Sequence, residues 1–273
     1  MASATIENPC IGRFDGKVAI CTASSAGIGL AVAERLAQEG AKVVLSSRRK
    51  ENVEDAVEKL RAKNLEVSGI ACHQAKKEDR QRLIDFAINT YGGLDVLFIS
   101  AGVNPHRGSL LKVTEQQWDK LFDVNVKSTF LMIRECVPHL SARGGGAIVT
   151  NSTAGTLFPD RMGPNILPYI ISKSCLTGLT KVLGPVLYRN KIRLNCIAPG
   201  PIATRFFEGS YNSQSGEKVS LSLIKESFMM KRVGSPSECA SVVAFLLSDD
   251  ASFMTGETLY VTGGAMPNPL ASL

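Results

Sequence analysis

The sequence predicts an α/β protein in which a seven-stranded, mostly parallel sheet is doubly wound, with helices on both of its faces. Short apolar runs rich in β-branched residues alternate with longer segments of helical period. Parallel strands need crossover connections of this length, and the crossover helices cover both faces of the sheet. The seven predicted strands are residues 17–22, 42–46, 67–72, 95–100, 147–150, 192–198 and 258–261.

Local signals place two of the helices. Between the first two strands, Ile28, Val32 and Leu36 recur at intervals of four residues, and Gly40 stands where a helix would end. Residues 114–117 have the pattern of a capping box. This pattern predicts the start of a long amphipathic helix that continues to about residue 140.

Composition favours one compact domain and limits the kind of ligand. The chain has 273 residues, 44% of them hydrophobic and 21% charged, and no repeat or linker divides it. We therefore predict a single domain over residues 1–273, with a flexible N-terminal segment at 1–13. The net charge is only +6 and the cations are spread along the chain, which favours an anionic small molecule and argues against nucleic acid.

The cysteines and histidines argue against disulfides and metal sites. The seven cysteines include no Cys-x-x-Cys pair, and several lie in apolar runs, which indicates buried thiols in a reducing compartment. His73, His106 and His139 lie far apart without acidic partners at ligand spacing, so no metal is expected. No stretch has the length of a signal peptide core or a membrane span, and we predict a cytoplasmic protein.

Residues 201–230 interrupt the alternation of strands and helices. The segment follows a strand and combines aromatic residues with a polar stretch at 209–217. An α/β protein often places a substrate lid at the carboxyl end of a strand, and we predict such an insertion here. An ordinary surface loop over a small apolar cluster fits the same residues.

A turn of small residues, which includes Ser25, Gly27, Ile28 and Gly29, connects the first strand to the first helix. Small residues let a phosphate approach the backbone, and a helix start offers free N–H groups and the positive end of its dipole. The turn therefore predicts a site for a dinucleotide, with a plain helix start as the alternative.

The end of the second strand decides which nicotinamide cofactor is expected. A carboxylate there would bind the ribose 2′-OH of NAD, whereas a cation would suit the 2′-phosphate of NADP. The strand runs into Ser47, Arg48 and Arg49, and the first acid is Glu51. We therefore predict NADP(H), with Arg48 as the main phosphate ligand and Arg49 as the second. The alternative is that both arginines are solvated charges at the start of the next helix.

A tyrosine and a lysine form the predicted reaction centre. Tyr169 and Lys173 are four residues apart, which places a phenol and an ammonium on one face of a helix. The cation is expected to lower the pKa of the phenol, so that Tyr169 can exchange a proton with a carbonyl or alcohol oxygen. Ser152 ends the fifth strand and can hydrogen-bond the same oxygen. Taken alone, the pair also fits a surface position, and Ser152 fits a turn.

With these residues in order, the chain resembles the short-chain dehydrogenase/reductase family from about residue 17 to 264. Further matches to the family's motifs are Ser100-Ala101-Gly102, Asn125, Asn195, Pro199-Gly200, Thr255-Gly256-Glu257-Thr258 and Gly263-Gly264. Within the family, the chain is most similar to the NADPH-dependent carbonyl and retinal reductases often found in peroxisomes. The local runs that indicate this are residues 46–48, 52–53, 72–73, 103–105, 232–240 and 251–257.

The resemblance implies a Rossmann fold, a homotetramer and a role for each site residue. Tyr169 would donate the proton in reduction, and Lys173 would lower its pKa and bind the nicotinamide ribose. Ser152 would polarise the carbonyl, and Asn125 would support a water-linked proton relay. Thr204 would hold the cofactor's amide. The remaining cofactor contacts that the resemblance implies are Ala101, Gly102, Pro199, Gly200 and Ile202.

Three departures from the family's pattern lie near the predicted site. Ala23 replaces the first glycine of the turn, and Ser100 replaces an asparagine that supports the sheet. Residues 160–167 lengthen the connection between Ser152 and Tyr169. These positions are where the local geometry is expected to differ from that of relatives.

Two further departures bear on assembly and location. Gly184 and Pro185 fall in the helix after Lys173, where an internal proline costs roughly 3 kcal/mol or bends the helix. In the family this helix commonly forms the subunit interface, so the geometry of the tetramer is expected to be affected. The terminal tripeptide, Ala271-Ser272-Leu273, resembles a peroxisomal signal with serine in place of the usual basic residue. A peroxisomal location is therefore the alternative to the cytoplasm.

The leading functional prediction is an NADPH-dependent reductase of ketones, dicarbonyls or retinal-like aldehydes. An alcohol, steroid or 3-hydroxyacyl dehydrogenase would use the same residues. A diverged NADP-binding regulator without turnover is an alternative of a different class. The presence of Ser152, Tyr169 and Lys173 together favours an enzyme.

Overall fold

The fold was determined from a computed structural model, which describes residues 12–159, 164–211, 225–226 and 228–264. Seven strands form one sheet in the order β3-β2-β1-β4-β5-β6-β7, and every pairing is parallel. The strands are β1 (Val18–Thr22), β2 (Lys42–Ser47), β3 (Val67–Ala71), β4 (Val96–Ile99), β5 (Gly146–Asn151), β6 (Ile192–Pro199) and β7 (Thr258–Val261). The predicted doubly wound sheet is confirmed, with all seven strands at their predicted places.

Helices cover the sheet on both sides, as predicted. The helices are α1 (Gly27–Gln38), α2 (Lys50–Arg61), α3 (Lys77–Tyr91), α4 (Glu115–Phe122), α5 (Ser128–Ala142), α6 (Leu167–Tyr188), α7 (Arg205–Tyr211) and α8 (Pro236–Leu247). One apolar core packs α1, α2 and α8 against the sheet, and a second packs α3, α5 and α6 against the opposite face. Both faces of the sheet are therefore covered by apolar side chains, and a polar site is expected at the ends of the strands.

The predicted long helix forms, with an irregular turn in its middle. Thr114 and Gln117 make the expected capping box at the start of α4. A π-helical turn, Asp123–Lys127, then joins α4 to α5, and it carries Asn125. Because π turns are rare and are often found at functional sites, this turn supports a functional role for Asn125.

Helix α6 runs without interruption through Gly184 and Pro185, where the sequence predicts a cost in stability or a bend. The helix continues through Pro185 to Tyr188. A Cβ at Gly184 would lie only 3.0 Å from the Gly256 backbone, so glycine permits a close approach between α6 and the loop before β7. The pair therefore serves packing and does not end the helix.

The same helix bears on the expectation that the chain has no membrane span. In the described part of the chain, α6 alone is long and apolar enough to cross a membrane, and 39% of its apolar window is buried inside the protein. It packs along β6 and β5. One such helix is weak evidence for a span, because core helices share its length and composition.

Arg13, the last residue of the N-terminal segment predicted to be flexible (1–13), is anchored by hydrogen bonds. Arg13 bonds both carboxylate oxygens of Glu39, at 2.6 and 2.9 Å, and also contacts Asp250. Residues 1–11 lie outside the described residues, as do 160–163, 212–224, 227 and 265–273. The predicted lid and insertion therefore fall partly outside the description.

All described cysteines are unpaired. Five of them are buried, and Cys175 is half-buried. Over residues 12–159, 164–211, 225–226 and 228–264, no group of three or more His, Cys, Asp or Glu side chains is arranged to hold a metal ion.

Candidate active site

The candidate site lies where the carboxyl ends of the central strands meet. The strand order turns from descending to ascending between β1 and β4, which is the switch point where open α/β sheets bind their ligands. The turns after β1, β4, β5 and β6 all open onto this edge. They carry most of the site residues predicted from the sequence.

The turn between β1 and α1 has the shape of a phosphate cradle. Helix α1 begins at Gly27, and Ala26 before it gives no side-chain cap, so its first N–H groups remain available to an anion. A Cβ at Gly29 would lie 2.5 Å from the Ala23 carbonyl oxygen, and one at Gly27 would lie 3.2 Å from Thr204 Cγ2. The turn therefore needs glycine at both positions, and it faces Thr204. Ser25 and Ile28 lie in the same turn and are half-buried.

Ala23 adopts the backbone conformation that usually requires glycine. Its φ is 52°, in the left-handed region where a Cβ costs about 1 kcal/mol or more. This is the physical reason why the family's motif usually has glycine at this position. The alanine is tolerated, and the turn keeps its shape.

The end of β2 presents two arginines to solvent. Ser47 is half-buried, and Arg48 and Arg49 are exposed. Neither arginine forms an ion pair with a described residue, and Arg49 immediately precedes α2 in an extended conformation. Both guanidinium groups are therefore free to contact an anionic ligand at this end of the sheet.

Lys173 is buried between two backbone carbonyls. The side chain is 1% exposed, and Nζ donates to the Ala101 oxygen at 2.9 Å and to the Asn151 oxygen at 2.7 Å. Burial lowers the pKa of Lys173 to about 8. The ammonium thereby connects the end of β4 to the end of β5, beneath the candidate site.

Tyr169 lies one turn before Lys173 and shares its environment. A Cβ at Gly102 would lie 3.0 Å from Lys173 Cε and 3.6 Å from Tyr169 Cε2, so both side chains pack on this glycine. The Phe206 ring of α7 contacts the tyrosine ring, with the centroids 4.9 Å apart. The tyrosine is therefore enclosed by α7 and by the turn after β4.

The direction of the tyrosine's pKa shift differs from the sequence prediction. Burial raises the pKa of Tyr169 above its ordinary value, whereas we predicted that Lys173 would lower it. The physical reason is that the Lys173 ammonium is engaged by two carbonyls, while the phenol is desolvated. The hydroxyl is therefore held protonated at neutral pH.

Ser152 lies beside α6 with its proton already engaged. Its Oγ donates to the Lys173 carbonyl oxygen at 2.6 Å, and the side chain is 3% exposed. The lone pairs of Oγ remain as acceptors, but donation to another oxygen requires the hydroxyl to turn. The next residue, Thr153, accepts a hydrogen bond from the Gly155 N–H, and so brings a second hydroxyl close to this position.

Asn125 ties the loop after β4 to helix α6. Its Oδ1 accepts from the Val103 N–H at 2.8 Å, and its Nδ2 donates to the Val103 oxygen and, at 2.8 Å, to Ser172 Oγ. Thr129 Oγ1 donates to the Asn125 carbonyl oxygen. Ser172 was missed in the sequence, because a serine inside an amphipathic helix gives no local signal.

Ser100 replaces the asparagine that supports the sheet in the family's pattern, and here hydrogen bonds of Ser100 itself connect the strands. Asn151 Nδ2 donates to Ser100 Oγ at 3.0 Å, and the Ser100 N–H donates to Thr22 Oγ1 at 3.3 Å. Asn151 ends β5 and Ser100 directly follows β4, so their hydrogen bond links the two neighbouring strands.

The end of β6 supplies the last predicted contacts. Gly200 donates its N–H to Val261 at 2.9 Å, beside Pro199 at the end of the strand. Ile202 bridges to Gly234. Thr204 Oγ1 accepts from the Phe207 N–H at 3.2 Å, close to the start of α7. The structure thus places the predicted residues at the carboxyl ends of the strands. Arg48 and Arg49 lie at the carboxyl end of β2, to one side of the others.

Comparison with known proteins identifies the family. The family model described as enoyl-(acyl carrier protein) reductase matches residues 22–266. The chain is 47% identical over 251 residues to "Dehydrogenase/reductase SDR family member 4" of Sus scrofa, covering 92% of this chain and 88% of that protein. It is 43% identical over 253 residues to the Caenorhabditis elegans protein of the same name, covering 92% and 96%.

A solved structure agrees with the sequence relatives. The chain superposes with a TM-score of 0.84 and 27% identity on a 7α-hydroxysteroid dehydrogenase complexed with NADH and 7-oxo glycochenodeoxycholic acid, covering 94% of this chain and 96% of that one. The chain therefore belongs to the short-chain dehydrogenase/reductase family of oxidoreductases.

Proposed function

We propose that the protein is an NADPH-dependent reductase that transfers hydride to the carbonyl group of ketones, dicarbonyls or retinal-like aldehydes. The observation that carries the proposal is the Tyr169 phenol, which packs together with Lys173 on Gly102 at the carboxyl ends of the strands. A neutral phenol at the edge of a dinucleotide cradle is a general acid in position to protonate a reduced carbonyl oxygen. The relatives are named as dehydrogenase/reductases and the solved neighbour is a hydroxysteroid dehydrogenase, so both are oxidoreductases.

The residues of the cradle fit a nicotinamide dinucleotide. The uncapped start of α1 and the two glycines of the turn, of which Gly27 faces Thr204, leave space and N–H groups for the diphosphate. The bound cofactor would supply the hydride. The chain would hold it with Ser25, Gly27, Ile28 and Gly29 at the diphosphate, with Ser47, Arg48 and Arg49 at the 2′-phosphate, and with Ala101, Gly102, Lys173, Tyr169, Pro199, Gly200, Ile202 and Thr204 towards the nicotinamide.

In the proposed reaction Tyr169 donates the proton from its hydroxyl to the carbonyl oxygen. Lys173 holds the ends of β4 and β5 in register beneath the phenol and binds the nicotinamide ribose. Ser152 polarises the substrate carbonyl after its hydroxyl turns away from the Lys173 oxygen. Asn125 would support the relay that returns a proton to Tyr169 by holding the loop after β4 against α6, because its side chain is engaged by Val103 and Ser172.

The preference for NADPH is tested at Arg48. The protein is expected to bind NADPH about tenfold or more tightly than NADH, because a guanidinium can pair with the 2′-phosphate and no carboxylate follows β2. Arg48→Ala should remove most of this preference, measured by fluorescence titration of both cofactors. Lys59→Ala, on the exposed side of α2, is the matched loss of one charge and should leave the ratio unchanged. Equal affinity for the two cofactors in the wild type contradicts the NADP assignment.

The role of Ser152 is tested against its neighbour. Ser152→Ala should lower kcat by roughly tenfold or more without changing the Kd of NADPH, because it removes a donor to the reacting oxygen. Thr153→Val keeps the shape of the side chain and should leave kcat nearly unchanged. If only Thr153→Val loses activity, the hydroxyl that polarises the carbonyl belongs to Thr153, and Ser152 only supports α6.

A second candidate is a dehydrogenase that oxidises an alcohol, such as a hydroxysteroid or 3-hydroxyacyl compound. The solved neighbour is a hydroxysteroid dehydrogenase, and the same residues run the reaction in either direction. The deciding experiment follows NADPH oxidation with dicarbonyls, aromatic ketones, retinal and oxo-steroids, and NADP reduction with the corresponding alcohols. Tight NADP(H) binding without turnover of any compound would favour the regulator.

We further propose a homotetramer in the cytoplasm. Val182 and Val186 lie exposed on α6, and continuous α6 leaves this apolar face intact for another subunit. A particle well above 29.3 kDa in light scattering supports assembly. The peroxisomal alternative rests on Ala271-Ser272-Leu273, which lies outside the described residues.

A further inference from the structure

Two asparagines join the loop after β4 to the segment that leads into α6. Asn104 Nδ2 donates to the Asn165 carbonyl oxygen at 2.8 Å. The Gly108 N–H donates to Asn165 Oδ1 at 2.7 Å. We call Asn104, Gly108 and Asn165 the asparagine clasp. It connects two segments that are far apart in the sequence and that both adjoin the candidate active site.

The clasp lies next to the reacting residues. Asn165 precedes Tyr169 by four residues and lies in the short 3-10 turn, Pro164–Ile166, before α6. Asn104 follows Gly102 by two residues, and Gly102 packs on Tyr169 and Lys173. The hydrogen bonds between the loop after β4 and the turn before α6 therefore fix the position of Tyr169 relative to that loop.

Other contacts make the loop stiff on both sides of Asn104. Val103 is held through its N–H and its oxygen by Asn125. The buried ring of His106 contacts Gln117 Oε1 at 3.1 Å and the Ser109 oxygen at 2.9 Å. Because the loop is fixed to the helix pair α4 and α5, the clasp fixes the start of α6 to the same frame.

Stability alone does not account for Asn104. Its Oδ1 is buried and has no hydrogen-bond partner among the described residues. A buried amide oxygen without a partner lowers stability, and this cost offsets part of what the Nδ2 bond to the Asn165 oxygen contributes. Residues that break such a rule are expected at functional sites, where geometry matters more than stability.

We propose that Asn104 and Asn165 are positioning residues for the carbonyl reduction, and that together they set the place of the Tyr169 hydroxyl against the substrate wall. The proposal rests on the proposed function. Neither side chain needs to touch the reacting atoms. Small misplacements of a reacting group have large effects on rate, so the clasp should act on turnover and on the choice of carbonyl substrate more than on folding.

The experiment compares the wild type with Asn104→Leu and Asn165→Ala, each saturated with NADPH. Both variants should lose roughly tenfold to a hundredfold in kcat with the best carbonyl substrate, and the KM ratio between bulky and small carbonyls should change. The Kd of NADPH should stay within about twofold, because the clasp lies away from the cradle. Asn104→Leu removes the donor to the Asn165 oxygen together with the unpartnered Oδ1, so its Tm should stay close to that of the wild type, whereas a merely structural role would tie the loss of turnover to a fall in Tm.

Two variants serve as controls. Asn165→Asp keeps an oxygen that can accept from the Gly108 N–H as well as the backbone oxygen that receives Asn104, and it should retain most of the turnover. Ser109→Ala changes an exposed side chain of the same loop and should behave as wild type. Amide hydrogen exchange should show a protected Gly108 N–H in the wild type that becomes fast in Asn165→Ala.

The outcomes separate the two proposals. An active wild type whose kcat and KM ratio are unchanged in Asn104→Leu and Asn165→Ala overturns the clasp and leaves the reductase standing. Loss of activity that only follows a fall in Tm or in NADPH affinity also overturns it. A wild type that turns over no carbonyl overturns the proposed function and, with it, this inference.

Discussion

Tyr169→Phe is expected to lower kcat by roughly 10² or more while the Kd of NADPH stays nearly unchanged. The substitution removes only the hydroxyl. The ring keeps its contact with Phe206 and its packing on Gly102, so the pocket should retain its shape. What disappears is the proton that burial holds on the phenol. Steady-state kinetics and cofactor titration on the same preparation measure both quantities.

A matched control exists on another helix. Tyr91→Phe removes a hydroxyl from a ring that stands near Lys42, far from the strand ends that form the site, and it should leave kcat unchanged. Turnover in Tyr169→Phe within a few fold of the wild type would mean that the proton comes from another group. The reductase mechanism built on Tyr169 would then have to be abandoned.

Lys173→Met is expected to act on turnover, on cofactor binding and on stability. The substitution keeps the length of the side chain but removes the donor to the Ala101 and Asn151 oxygens. We expect kcat to fall by roughly 10² or more and the KM for NADPH to rise. Lys181→Met, on the same helix and paired with Glu257 at the surface, is the control and should change neither constant.

The same variant tests the burial of the ammonium through the pH dependence of stability. The folded-state pKa of Lys173 is lowered from 10.5 to about 8, so between these values the unfolded chain binds a proton that the folded chain does not. The unfolding free energy contributed by this group therefore rises with pH through that window. Lys173→Met should lack this rise in denaturant titrations between pH 8 and 10. An identical pH dependence in both proteins would show that the amine is solvated in the folded chain.

Much of the fold and part of the candidate site could be predicted because their signals are local. The strands are short apolar runs, and the capping box in the sequence predicts where α4 begins. Tyr169 and Lys173 lie on one helix, so their spacing alone places them together. The left-handed Ala23 was also marked in the sequence, as an exception to a glycine pattern.

What could not be predicted depends on contacts between distant segments. Ser152 was placed near the reacting oxygen, but the Lys173 carbonyl that takes its proton cannot be read from the sequence. Asn104 and Asn165 lie in loops of no regular period, so nothing pairs them before the chain folds. The cost or bend expected at Pro185 came from propensity alone, which does not include the packing that holds an uninterrupted α6 on the sheet.

The central place of β1 has a consequence for the nascent chain. On one side β1 pairs with β2, the next strand to be synthesised, but on the other it pairs with β4, which leaves the ribosome only after α2, β3 and α3. Until then one edge of a strand that is fully buried in the folded protein, Val18–Thr22, stays without its neighbour. Exposed edges of this kind recruit other strands, so the N-terminal half is the part of the protein that most needs protection by a chaperone during translation.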